Sequence, residues 1–200
     1  MLTLTDCFEY DEKTYNYYGS YSFTGTKIEQ AVVTAILNVT TDDKVVVDMI
    51  KGNNEQDYSS LKTLLENNAY QVNEVSLATG DFDSNAKIAI MYAPSVDLDE
   101  KIVEKLSTWL SNDGKYGRSL IYVPTADMGE MPNLDDFLKE WGMSIDRGYV
   151  FETDESTLVS ASSPYAFTVS YGDYYKDNLK NSKIPVVVSE SHAVNITDEN

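Results

Sequence analysis

Asp81-Phe82-Asp83-Ser84-Asn85 spaces oxygen donors at every second residue, the D-x-D-x-N opening of a loop whose ligands would converge on a hard cation such as calcium. The rest of that loop is missing. Ala86 stands where the turn needs glycine, and Tyr92 where a closing glutamate would add two oxygens. Adventitious calcium is the most this run offers, and no metal centre or cofactor is expected. A second polar set follows three apolar runs: Gly52-Asn53-Asn54-Glu55, Ala93-Pro94-Ser95 and Pro124-Thr125-Ala126-Asp127. If those runs are parallel strands, their carboxyl ends share a crevice of the kind in which open α/β sheets bind ligands. Asn53, Asn54, Glu55, Pro94, Ser95 and Asp127, with Thr125 beside them, are then candidates to line a pocket for a small molecule or a peptide. The same residue types are the ordinary choices for turns and helix N-caps. Both readings are open at this point.

Covalent chemistry finds little equipment. No G-x-G-x-x-G follows an apolar run and no G-x-x-x-x-G-K-[ST] occurs, so the phosphates of a nucleotide have no glycine-rich cradle. No G-x-S-x-G or G-x-C-x-G supplies a nucleophile elbow. The single cysteine, Cys7, precedes the first core strand and is read as an inert thiol. The single histidine, His192, lies in the terminal segment with no visible partner and is read as a surface or strand-end residue. One cysteine and one histidine also leave no disulfide and no zinc ligand set. Paired carboxylates for glycoside hydrolysis depend on separations in space, and no motif nominates a pair.

The chain of 200 residues is long enough to bury one sizeable core. Fifteen basic residues against thirty-three acidic ones give a net charge of −18, which repels phosphate backbones and anionic bilayers and argues against a nucleic-acid role. No stretch is apolar for long enough to span a bilayer, and the first residues have neither the basic nor the apolar part of a leader. The sequence as it stands is expected to be soluble, with any membrane attachment through anchors outside this segment.

The elements that must position the polar set can be read from periodicity. Residues 1–25 are a polar and aromatic lead-in in which Tyr10, Tyr15, Tyr17, Tyr18, Tyr21 and Phe23 suit a short strand or hairpin packed on the domain, or a sugar-stacking face. Thr26 and Glu29 fit a capping box, and Ile28, Val32, Ala35, Ile36 and Val39 recur at helical spacing over Lys27 to Asn38. Strands are expected at Lys44 to Ile50, Gln71 to Leu77, Ala86 to Tyr92 and Arg118 to Val123. Helices are expected at Asp57 to Asn67, after Asp97 with Glu100 as its capping partner, and from Asn133 to a stop at Gly142. Gly114 is placed to end the second of these. Around a polar SASSP linker, Tyr149 to Phe151, Ala166 to Ser170 and Pro185 to Ser189 suggest short strands, with a brief helix near Tyr174 to Leu179. The expectation is one α/β domain over residues 26–200, a three-layer sandwich with a flavodoxin-like or Rossmann-like, mostly parallel sheet to which the C-terminal strands are added.

Four landmarks carry a family resemblance. TGTKIEQAVVTAILNVTTDDKVVVDMIKGNNEQD resembles a family's helix and strand ending in a Gly-His-Gly-Glu-like turn; SSLKTLLENNAYQVNEVSL, AKIAIMYAPSVDLDEKIVEKLSTWLSNDGKYGRSLIYVP and LDDFLKEWGMSIDRGYVFETD, each similar to a later unit of that family, follow in order. Together they cover about residues 26–155, and NSKIPVVVSESHAVNI extends a weaker likeness toward the end. In order and spacing they resemble the extracytoplasmic domain of the gliding-motility-associated ABC-transporter auxiliary proteins, the GldG family. The resemblance implies a fold related to class I glutamine amidotransferase-like domains, used without catalysis. It also implies a location outside the cytoplasmic membrane, tethered by helices that this segment lacks, and partnership with an ABC permease and its ATPase. The sequence departs from the family where Gly52-Asn53-Asn54-Glu55 replaces the histidine-containing turn, so that only Gly52 and Glu55 carry over. It departs again at Asp113-Gly114-Lys115-Tyr116-Gly117, where the family tends to have adjacent glycines. Two other classes compete: a hydrolase or amidotransferase-like enzyme of the same fold, and a carbohydrate-binding module using the tyrosines.

Overall fold

A computed structural model describes residues 3–127, 129–172 and 185–197. The chain divides into two compact units, residues 1–94 with 104–123 and residues 95–103 with 124–200. Each is described by itself.

The first unit is built on four parallel strands: β3 (Val46–Ile50), β4 (Gln71–Val75), β5 (Ala86–Tyr92) and β6 (Ser119–Val123), in spatial order β4-β3-β5-β6. The register runs unbroken from Val47↔Val72 to Ile50↔Val75 on one side of β3 and from Val47↔Ile88 to Ile50↔Met91 on the other. Every residue of β3 is buried, as a strand covered on both faces must be. Alternation then sorts its side chains. Val47 and Met49 pack with Ile90 against Tyr58, Leu61 and Leu65 of helix α4 (Ser59–Asn67) and the turn before it.

Between these two, Asp48 is 0% exposed. Its carboxylate accepts from the Asn73 side-chain amide at 3.1 Å and from the backbone N–H of Asp83 at 2.8 Å. The partners explain the position. The connection from β4 to β5 has no helix, and residues 76–85 cross as turns and loop. Its polar backbone groups therefore need side-chain partners. Asp48 supplies one, and the Lys105 ammonium supplies others by donating to the carbonyls of Leu77 and Gly80 at 3.0 and 2.7 Å. Leu77 is buried, and Phe82 stacks on Trp109 with ring centroids 4.5 Å apart.

Ahead of the sheet, α1 (Leu4–Cys7), β1 (Phe8–Tyr10), α2 (Glu12–Tyr18), β2 (Phe23–Thr26) and α3 (Ile28–Thr40) account for the lead-in and the first long helix. β1 and β2 pair antiparallel around α2; Tyr21 stacks on Tyr15 and Phe23, and Tyr10 meets Tyr15 and Tyr21 edge-on. The expected capping box at α3 does not form. Lys27 takes the cap position without a side-chain bond, and the Thr26 hydroxyl reaches only the Ile28 N–H, at 3.5 Å. The residues that recur at helical spacing face out: Ile28, Val32, Ile36 and Val39 are exposed, while Ala31 is the buried residue of the helix. On the side that meets α4, the Thr34 hydroxyl donates to the Asn67 carbonyl at 2.9 Å.

Helix α5 (Glu100–Ser111) carries its apolar stripe as expected, with Ile102, Leu106, Trp109 and Leu110 buried. It ends in a left-handed run, Asn112, Asp113 and Gly114 at φ 48°, 54° and 76°. In the second unit, α6 (Pro132–Glu140) buries Leu134, Phe137 and Leu138 and packs on β7 (Met143–Tyr149). Asp97 corrects a sequence expectation here. Asp99, not Asp97, holds the start of α5, its carboxylate accepting from the Lys101 N–H at 2.9 Å. The Asp97 carboxylate accepts instead from the N–H groups of Asn133 and Leu134, at 3.0 and 3.1 Å, and so caps α6 from a distant stretch of chain.

The C-terminal strands do not extend the parallel sheet. β7 pairs antiparallel with β11 (His192–Ile196), and β8 (Leu158–Ser160), β9 (Ser163–Val169) and β10 (Val186–Ser189) form a separate antiparallel sheet in the order β10-β9-β8. SASSP is the β8–β9 hairpin turn rather than a linker, and the strand expected at Tyr149 to Phe151 lies earlier, in β7. The helix expected near Tyr174 to Leu179 lies outside the described residues. The protein is thus a mixed α/β structure, with a four-stranded parallel sheet and additional antiparallel sheets.

Candidate functional site

Counted along the chain, the four parallel strands lie in the spatial order second, first, third, fourth. The connections from β3 and from β5 leave in opposite directions, which makes the ends of these two strands the switch point of the sheet. Each ladder persists one residue further, with Lys51 N–H donating to Val75 O and Ala93 N–H to Val123 O, before the chain turns. The turns require uncommon backbone. Gly52 sits at φ 118°, and a side chain there would meet the Ser76 hydroxyl at 3.3 Å. Asn54 and Ala93 hold left-handed conformations at φ 54° and 46° without being glycine.

The structure brings Gly52, Asn53, Asn54, Glu55 and Pro94 to this one place. The Glu55 carboxylate accepts from the Gly52 N–H at 3.0 Å and from the Asn53 N–H at 3.0 and 3.1 Å. The Gln56 N–H donates to the Ala93 carbonyl at 3.2 Å and ties the loop to the end of β5. Two backbone amides that could hold an anion are thus already occupied by the loop's own carboxylate. Asn53 and Pro94 are buried, while Asn54 is exposed.

Ser95, Thr125 and Asp127 belong to the second unit. Ser95 and Asp127 are exposed and Thr125 is buried. The Thr125 carbonyl lies 3.2 Å from His192 Nε2, whose Nδ1 lies 3.2 Å from the Gly148 carbonyl. The imidazole also stacks on Tyr149, with centroids 5.3 Å apart. Both ring nitrogens therefore face main-chain oxygens. His192 opens β11, which agrees with its reading as a strand-end residue.

A neighbouring cluster was not visible in the sequence. Glu74 on β4 receives Lys51 at 3.3 Å, Lys62 at 3.7 Å and the Tyr58 hydroxyl at 3.3 Å. The Lys51 hydrogen bond and the Lys62 charge hold the Glu74 carboxyl below its ordinary 4.5. Burial, with the Glu74 charge behind it, pushes the Tyr58 phenol above 10.0. Lys51, Tyr58 and Glu74 are 7 and 16 residues apart along the chain, and only the parallel pairing of β3 with β4 assembles them. Their joint signal is one lysine directly after an apolar strand and a lone acid within the next.

The metal reading finds no support in side-chain placement. Lys105 pairs with Asp81 at 2.8 Å, and the Asp83 carboxylate accepts from the Asn85 N–H at 2.8 Å. Among the described residues, no group of three histidine, cysteine, aspartate or glutamate side chains is placed to hold a metal ion. No described helix is long and apolar enough to cross a membrane. We found no protein-family model that matches the chain, and no curated protein that matches it.

Proposed function

We propose that this protein is a non-catalytic, extracytoplasmic auxiliary domain of an ABC-type transport system, acting through protein or ligand contacts. In this reading the parallel sheet is the core of a flavodoxin-like, three-layer domain related to the class I glutamine amidotransferase-like fold. The strand order second, first, third, fourth supports the architecture, because it is the order with which flavodoxin-like sheets begin.

The observation that carries the absence of catalysis is the occupied loop at the switch point. Where an enzyme of this architecture would present a nucleophile or an open anion cradle, Glu55 satisfies the Gly52 and Asn53 amides. The single cysteine, Cys7, lies in α1. The transport role, the permease and ATPase partners and the membrane tether rest on the four sequence landmarks.

The test has two arms. In cells, the full-length protein should co-purify with an ABC permease and its ATPase, and its gene should encode hydrophobic spans beside this segment. In vitro, the chain should turn over none of a panel of ester, amide and glycoside substrates. Turnover lost in Glu55→Gln would replace this reading with the hydrolase or amidotransferase alternative. One observation favours the carbohydrate reading: Tyr17 and Tyr18 on α2 are 82% and 73% exposed. Saturable oligosaccharide binding lost in Tyr17→Ala with Tyr18→Ala would establish it.

A further inference from the structure

With thirty-three acidic residues for fifteen basic ones, every cation of this chain has carboxylates to choose from. Lys51, Lys62, Lys105, Lys139 and Arg147 each hold one at ion-pair distance. Lys44, Lys87 and Arg118 are among the described cations that hold none from a described residue, and these three line one cleft. The cleft has a volume of about 610 Å³ and lies at the amino ends of the parallel strands, the opposite edge of the sheet from Gly52. Its size is that of a small-ligand pocket.

The three cations differ in how free they are. Lys44 is spent on the neutral side chain of Asn38. Lys87 is exposed on β5, and no described residue bonds its ammonium. Arg118 is anchored. Its Nη1 donates to the Trp109 carbonyl at 2.9 Å, and its guanidinium carbon lies 5.3 Å from the centroid of the Trp109 ring. That bond uses one of five N–H donors. The anchor holds the rest of the fork in one geometry, and a guanidinium so held is suited to a carboxylate, which it can take with two parallel bonds.

The cleft also carries the opposite charge. Asp42 and Asp43, in the turn before β3, line it, and both are exposed with no described cation at ion-pair distance. β3, β5 and β6 are successive neighbours in the sheet. At about 4.8 Å per strand, the acids ahead of β3 stand about 10 Å from Arg118 at the start of β6, with Lys87 on the strand between them. A ligand that answers both ends is a zwitterion of that length, and about three residues of extended peptide cover it. A polyphosphate answers only the cations and is repelled by the two acids.

We propose that this cleft is a binding site for a short peptide with free ends, its terminal carboxylate taken by Arg118 and Lys87 and its terminal ammonium by Asp42 and Asp43. The proposal does not depend on the transport role, and either can fail without the other.

The experiment titrates trialanine into the full chain by isothermal calorimetry, beside trialanine with an acetylated amino end and trialanine with an amidated carboxyl end. Trialanine should bind saturably, and each blocked form should bind more weakly by about fivefold or more, the loss of roughly one charge pair. Lys87→Met, and Asp42→Asn with Asp43→Asn, should each weaken trialanine by a similar factor while leaving the melting curve in place, because no described residue depends on those side chains. Three results would each overturn the proposal: no saturable binding of trialanine, equal binding of the three peptides, or parent-like binding by both variants. Inorganic phosphate that displaces trialanine at equal concentration would reassign the cleft to simple anions and would equally overturn it.

Discussion

Strand β3 and helix α3 are six residues apart and both read as apolar elements, yet their fates are opposite. All five residues of β3 are buried, its aspartate included. Four of the five apolar positions that nominate α3 as a helix are Ile28, Val32, Ile36 and Val39, and all four are exposed. The lesson is that periodicity says which face of an element is apolar, and does not say whether that face is covered. Asp48 is held inside because the helix-free β4–β5 connection needs an acceptor for Asp83 N–H and Asn73 has an amide to place. On α3 the side that meets α4 is the one carrying Thr34, whose hydroxyl donates to the Asn67 carbonyl.

The sharpest way to break the comparison is at Asp48. Asp48→Ala removes the acceptor of the part-buried Asp83 N–H and the shorter of two acceptors of the Asn73 amide, which keeps the Asp83 carboxylate at 3.4 Å, so a loss of about 2 kcal/mol is expected in urea unfolding. Asp48→Asn should cost less, because one acceptor oxygen remains, but its new amide faces one of the two donors. The contrasting substitution is Ile36→Gln on α3, expected within about 0.5 kcal/mol of the parent as for an ordinary surface position. If the two changes cost the same, the contrast between the elements is false.

Asp97 sharpens the same point by an intermediate amount. Its spacing to Glu100 nominates it as the cap of α5, while its carboxylate caps α6 thirty-six residues away from Asn133 N–H. Asp97→Ala should cost about 1–2 kcal/mol, as the loss of an N-cap does. Hydrogen exchange should locate the damage: faster exchange at the Asn133 and Leu134 amides is expected, and faster exchange confined to the first turn of α5 would show that the cap lies where the spacing puts it.

Much of the scaffold was legible. Ala86–Tyr92 was bounded correctly because both its faces are covered and a run of Ala, Ile and Met has no competing period. α6 was legible because Leu134, Phe137 and Leu138 keep their periodicity through burial. The antiparallel C-terminal strands were harder. β7 reads MSIDRGY and β11 HAVNI, mixed-polarity strands that pair with each other, and a partner about fifty residues away leaves no local trace. At the candidate site, the turn residues Gly52 to Glu55 could be placed at a strand end from the sequence. That Glu55 closes on the amides of its own loop could not, because a carboxylate two or three residues from an amide is equally able to face solvent.

The smallest effect concerns the rim of the same sheet, where Glu74 is only partly covered and its ion pairs are correspondingly weak. Its carboxyl is held below 4.5 by Lys51 first and Lys62 second, so the folded state binds a proton less readily than the unfolded chain. The resulting stability is complete above the unfolded value and is lost as pH falls through the lower folded one. Tyr58 works in the opposite direction. Burial first, and the Glu74 charge second, raise its phenol above 10.0, so its contribution is complete below 10.0 and is lost as pH rises through the folded value. Glu74→Gln should therefore leave stability at pH 3 nearly unchanged relative to the parent, lower it at pH 7 by about 0.5 kcal/mol, and shift the Tyr58 absorbance titration downward. A Glu74→Gln penalty as large at pH 3 as at pH 7 would mean that the residue acts through packing rather than charge. The rim of the sheet would then obey the same rule as the buried Asp48, and the gradient from β3 outward would disappear.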